Sequence, residues 1–279
     1  MREPQDLGTE DSSEGLAMSD TTTPMPAVFV GHGSPMNTLE ENRWTRAWAE
    51  FGRTTPRPRA IVAISAHWYI NATAVTAMER PQTIHDFYGF PPELFAVDYP
   101  APGDPGLADE IIELVAPTWV GRDVDSWGLD HGTWSVLTHM YPEAEIPVVQ
   151  LSIDATKPGT YHVELGVALE PLRHAGVLIL GSGNVVHNLG RLQWQEPDAA
   201  ADWNTAFDGA ATQLMTKRPV DITELADHPN HDLAAPTPEH LLPLFYIAGV
   251  AAAANTTATV LTAGPHMGSL SMSSYVVPG

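Results

Sequence analysis

The hydrophobic pattern of the chain consists of short, continuously apolar runs closed by turn signals and separated by stretches with helical spacing. AVFV (27–30) is the first such run. The Gly-His-Gly-Ser-Pro segment after it can extend neither a strand nor a helix. AIVAIS (60–65), IPVVQLSI (146–153) and VLIL (177–180) repeat the form. Runs that are apolar at every position, rather than every second one, mark strands buried on both faces. Between the first two runs, Leu39, Trp44, Ala47, Trp48 and Phe51 recur at roughly helical spacing, with Asn37 as a cap. Further helices are predicted over DPGLADEIIELVA (104–116), after His131, and over GTYHVELGVALEPLRHAG (159–176). Another is predicted from Thr237, with Thr237 as N-cap and Pro238 in the first turn. A last pair of strands is predicted near 258–261 and 274–277. This order predicts an α/β fold: a single domain with a mixed, mostly parallel central sheet and helices on both faces.

Two segments stand apart. Residues 1–24 hold little to bury and are expected to form a disordered acidic tail ahead of the domain at 25–279. Residues 80–105 carry six prolines together with His85, Asp86, Phe87, Tyr88, Phe90, Phe95 and Tyr99. That composition suits an anchored surface loop or a lid over an aromatic ligand.

Composition narrows the chemistry. The formal net charge of −21 argues against nucleic acid or an anionic membrane as partner. No stretch approaches a membrane span, and a cytoplasmic monomer or small homo-oligomer is expected. The absence of cysteine removes disulfides, thiolate metal sites and a cysteine nucleophile. GSGNVV lacks the third glycine of a dinucleotide fingerprint, no HExxH or phosphate-binding loop is present, and Ser34 lacks a GxSxG elbow.

Histidine remains, and its placement is patterned. His32 and His67 follow the first two apolar runs, and His187 follows VLIL and a Gly-Ser-Gly-Asn turn. Parallel strands would bring all three to the carboxyl edge of the sheet, where α/β proteins bind ligands. Converging imidazoles are a common way to hold a transition metal. Glu239 and His240 supply a fourth candidate. Adjacent helical residues point about 100° apart, so only one of them is expected to reach a shared ion.

With these residues assembled, the chain resembles the class III extradiol ring-cleavage dioxygenases, in the branch that contains the 4,5-DOPA enzymes. The resemblance runs through GHGSPMN, RPRAIVAISAHW, TIHDFYGFP, DYPAPGDP, WGLDHGTWSVL, PVVQLSID, SGNVVHNL, PTPEHLLPL and MGSLSM, from about Met25 to the C-terminus. It implies iron(II), a catechol substrate and O₂, with 25–279 as the catalytic domain. Zinc is able to occupy the same site. By position, His32, His67 and His240 match metal ligands, and His187 matches an active-site histidine that is either a further ligand or a base. His131 matches a histidine beside the metal that assists proton transfer. A carboxylate is the third ligand in related enzymes, which makes Glu239 the rival of His240. Two other functions stay open at this point: a zinc-dependent hydrolase at the same histidines, and a non-catalytic binding protein of the Memo type.

Overall fold

The computed structural model describes residues 23–279. The tail expected over 1–24 lies, except for its last two residues, outside the described residues. Eight strands form one sheet: β1 (Ala27–Gly31), β2 (Ala60–Ile70), β3 (Ala74–Thr76), β4 (Gly121–Asp123), β5 (Val148–Asp154), β6 (Val177–Gly183), β7 (Thr259–Thr262) and β8 (Ser274–Val277). Their spatial order is β4-β3-β5-β2-β6-β1-β8-β7. The four central strands, β5, β2, β6 and β1, are mutually parallel. β8 and β7 extend the β1 edge in antiparallel fashion, and β3 runs antiparallel to β5 at the other.

The longer helices are α1 (Arg43–Thr54), α2 (Pro105–Leu114), α3 (His131–Met140), α4 (Gly159–Leu169), α5 (Asp202–Lys217) and α6 (Leu242–Ala253). Alternate strand residues feed two separate cores. Val28, Val30, Ile61, Ala63, Leu178 and Leu180 pack with Trp44 and Trp48 of α1 and Trp134 and Leu137 of α3. Ala27, Phe29, Val62, Ile64, Val149 and Ile179 pack with apolar side chains of α2, α4, α5 and α6. Burial on both faces is why these strands read as unbroken apolar runs. None of the described helices is long and apolar enough to cross a membrane.

The structure corrects four local expectations. α1 is capped not by Asn37 but by Asn42, whose side chain accepts from the Trp44 and Thr45 N–H groups at 2.9 and 3.1 Å. VLIL is not followed by a Gly-Ser-Gly-Asn turn, because β6 continues to Gly183, which pairs with Gly31 of β1. His67 does not follow the end of its strand. β2 continues to Ile70, and its pairing with β5 shifts register between Ile64 and Tyr69. His67 therefore sits in an irregular stretch beyond the last β6 partner at Ser65, which frees its side chain from the regular pleat. Finally, the late helix starts at Leu242, not in the turn after Thr237. A helix through that turn needs an N–H from residue 243 onto the Glu239 carbonyl, and Pro243 has none. The His240 carbonyl is also taken, by the backbone N–H of Asn184 at 2.8 Å.

One buried base outside the sheet edge sets an acid limit. His162 on α4 is fully buried, its Nδ1 lies 3.1 Å from the Tyr246 hydroxyl, and its Nε2 has no partner among the described residues. Burial pushes it down to about 4 from 6.5. A base whose pKa is lower in the native state than in the unfolded chain stabilises the fold fully above about pH 6.5. That contribution is lost as pH falls towards 4, at about 1.4 kcal/mol per pH unit and up to about 3 kcal/mol in all. A His162→Asn variant, which cannot titrate, is expected to lose stability less steeply between those pH values in urea unfolding. Equal slopes would contradict the assignment.

Candidate active site

The parallel strands end where the chain needs its chemistry. His32 follows β1 and is buried, with its backbone N–H donating to the Gly183 carbonyl at 2.9 Å. Its carbonyl accepts from Asn37 Nδ2 at 2.9 Å. His131 is the first residue of α3, whose N-cap, Asp130, accepts from the Thr133 N–H at 3.2 Å. Asp130 also accepts from Ser65 Oγ at 2.6 Å and from the Gln150 amide, which ties α3 to β2 and β5. His187 lies just past β6, bridged to Leu270 and bonded through its N–H to the Ala234 carbonyl at 2.8 Å.

His240 reaches the edge because β6 ends in glycine. A Cβ at Gly183 would lie 2.2 Å from the His240 carbonyl oxygen, so any larger residue would push this segment off the sheet. Gly183→Ala is expected to cost about 1–3 kcal/mol in unfolding experiments through overpacking, and to weaken metal uptake by displacing His240. Wild-type stability would contradict the close approach.

These side chains meet. The ring centres of His32, His67 and His240 form a nearly equilateral triangle with sides of 5.1, 5.2 and 5.4 Å. His131 packs over His67 at 3.9 Å, and His187 stacks on His240 at 3.5 Å with ring planes 8° apart. Two groups have ligand atoms within 4.8 Å of one another: His32, His67 and His131, and His187, Glu239 and His240.

Hydrogen bonds set which nitrogens are free. Ser182 Oγ gives its proton to the Gly132 carbonyl, so at 3.0 Å from His32 Nδ1 it accepts. His67 Nδ1 lies 3.0 Å from Asp86 Oδ2, and His131 Nδ1 lies 2.9 Å from Asp86 Oδ1. His240 Nδ1 lies 3.2 Å from Glu239 Oε1, which also accepts from Thr237 Oγ1 at 2.7 Å. Neutral His32, His131 and His240 thus spend Nδ1–H on the protein and keep Nε2 as a lone pair, while His67, held through Nδ1 against the Asp86 carboxylate, turns its Nε2 towards His32. The threonine expected to cap a helix instead supports Glu239.

Burial, followed by the neighbouring imidazoles, holds His32 and His240 far below the ordinary histidine range. Burial also lowers His131, and it pushes His187 down to about 4. His67 is the exception. Burial works against its charge, yet the Asp86 hydrogen bond and the Asp130, Asp86 and Glu239 carboxylates raise it. Asp86 is itself partly buried, and its bonds from His131 and His67 outweigh that burial and hold it below the usual carboxylate range.

The Nε2 atoms of His32 and His67 stand only 3.3 Å apart. Two imidazole nitrogens this close are held together by a shared proton or by a cation that both can reach. The spacing suits two nitrogens each about 2.1 Å from one ion. Neutral imidazoles beside nearby carboxylates fit a divalent transition metal.

The 80–105 segment contributes more than its aromatic content foretold. Phe87 packs on Phe90, Phe95, Trp134 and the edge of His131, while Tyr88 stays exposed. Its chemical contribution is Asp86, which the sequence placed in this segment without a role at the site. The one available signal was an ionisable residue inside an apolar, aromatic run. Asn184 was also missed: its N–H holds the His240 carbonyl, its Oδ1 accepts from the Gly33 N–H at 3.3 Å, and its Nδ2 donates to the Ser271 carbonyl at 2.8 Å.

Comparison with known proteins shows the family. Residues 22–278 match the family described as the catalytic LigB subunit of aromatic ring-opening dioxygenase. A 4,5-DOPA dioxygenase extradiol of Escherichia coli K12 is 49% identical over 261 residues, 92% of this chain and 96% of that one. The protein of that name from Beta vulgaris is 38% identical, over 88% of this chain and 94% of its own. The crystal structure of an uncharacterized Escherichia coli K12 protein superposes with a TM-score of 0.79 at 45% identity, covering 91% of this chain and 99% of that one. The chain belongs to the LigB family of aromatic ring-opening dioxygenases and is an extradiol ring-cleavage enzyme.

Proposed function

We propose that the enzyme opens the ring of a DOPA-like catechol with O₂, using iron(II) held by His32, His67 and His240. The observation that carries this reading is the approach of His32 Nε2 and His67 Nε2 to 3.3 Å, with His240 completing the triangle of rings. Iron(II) there would lower the proton affinity of the catechol hydroxyls and supply the redox chemistry that dioxygen needs, with positions left open by a three-residue ligand set. Zinc would bind the same imidazoles, more tightly by the Irving–Williams order, and leave the enzyme inactive.

The stacked pair divides the remaining roles. Ring lone pairs lie in the ring plane, so two near-parallel rings 3.5 Å apart are poorly placed to bind one ion through both. His240 faces His32 and His67 and is assigned as ligand, with Glu239 behind it as acceptor for its Nδ1–H. His187 is then the proton acceptor for a catechol hydroxyl. Its burial keeps it neutral at physiological pH, as a base must be. His131 has committed its Nδ1–H to Asp86, so its Nε2 accepts a hydroxyl proton and becomes a donor only after taking one. The two histidines would hold and return protons as the ring opens.

The test is a panel of catechols with the iron(II)-loaded and the zinc-loaded enzyme, followed by visible absorbance. A yellow ring-opened product from iron(II) alone supports the reading. Turnover with zinc, or none with any catechol, would overturn it.

A further inference from the structure

We infer that Asp86 is a shared positioning residue, one carboxylate that fixes the Nδ1–H tautomers of His67 and His131 together and so couples a metal ligand to a proton-transfer histidine. This rests on the function proposed above. The two carboxylate oxygens divide between the rings: Oδ2 lies 3.0 Å from His67 Nδ1, and Oδ1 lies 2.9 Å from His131 Nδ1. An ionised carboxylate only accepts, so both rings must present Nδ1–H to it and turn Nε2 into the site. A third donor, the His131 backbone N–H at 2.9 Å from Oδ1, holds the carboxylate to the first residue of α3. Phe87, locked among Trp134, Phe90 and Phe95, keeps the loop from turning Asp86 away.

The geometry makes asparagine an informative replacement, because Asn has the size and shape of Asp but cannot accept at both oxygens. Its amide oxygen can take one Nδ1–H. Its amide nitrogen must donate to the other ring, whose proton then moves to Nε2 and blocks that nitrogen. A residue that mattered only for packing would tolerate the exchange.

The experiment compares Asp86→Asn with wild type in two assays: Co(II) affinity of the metal-stripped protein by chelator competition, and kcat at saturating iron(II). The expected result is about 10–100-fold weaker Co(II) binding if the amide nitrogen faces His67, or a kcat at least about tenfold lower that excess iron does not restore if it faces His131. Unchanged binding and kcat would overturn the inference. Wild type that takes up no Co(II) would instead bring down the proposed metal centre. If the variant fails to fold, ¹⁵N NMR of the histidines in the metal-free wild type decides the matter. Nδ1–H on both His67 and His131 supports the inference, and a proton on Nε2 of either neutral ring overturns it.

Discussion

Replacing His32 with Ala is expected to leave a folded chain that no longer holds a metal and turns over catechol at least about 10³-fold more slowly. The expectation follows from what the ring does. His32 is buried and its Nδ1–H is spent on Ser182, so its one free nitrogen faces His67 Nε2 at 3.3 Å. Removing it takes away one corner of the triangle and leaves too few imidazoles to hold the ion. A metal's charge stabilisation in the transition state amounts to several kcal/mol, and each 1.36 kcal/mol is tenfold in rate. The structural cost is smaller, about 1–2 kcal/mol for a small cavity and a lost hydrogen bond. Metal content, unfolding in urea and kcat/KM measured on one preparation separate the two effects. Turnover within tenfold of wild type would remove His32 from the site.

The second large effect divides two rings that touch. His240→Ala is expected to lose the metal, whereas His187→Ala is expected to keep it and lose about 10²–10⁴-fold in kcat, the usual contribution of a positioned acid or base. The rings are parallel and 3.5 Å apart, so their roles cannot be inferred from position in the fold; they follow from which ring faces His32 and His67. Retained metal in His240→Ala with metal loss in His187→Ala would exchange the assignments. Normal turnover in His187→Ala with metal bound would end its role as base.

How far the sequence carries depends on the range of the interaction involved. The central strands were legible because burial on both faces writes an unbroken apolar run into the residues themselves. The prediction that His32, His67 and His187 reach one edge followed from parallel strands alone. Helix α5 carried no comparable signal, since its apolar positions, Phe207, Ala211, Leu214 and Met215, are diluted by small and polar neighbours. β3 and β4 are three residues each and take their form from pairing with other segments. The start of α6 was misplaced because capping chemistry at Thr237 is local, while Pro243 and the bond from Asn184 to the His240 carbonyl override it from outside. Asp86 was hidden for the same reason. Nothing adjacent to it in sequence says that two histidines, 19 and 45 positions away, will donate to its two oxygens. The ligand set itself came from resemblance, and the stacking of His187 on His240 is the feature on which the proposed division into ligand and base rests.

The most direct test of the central claim is stoichiometric O₂ uptake by the metal-stripped chain after anaerobic loading with iron(II), with L-DOPA or a simple catechol as substrate. The expected result is one O₂ consumed per catechol opened, no uptake before iron is added, and none in His32→Ala or His67→Ala. No uptake with any catechol, at one bound iron per chain, would contradict it.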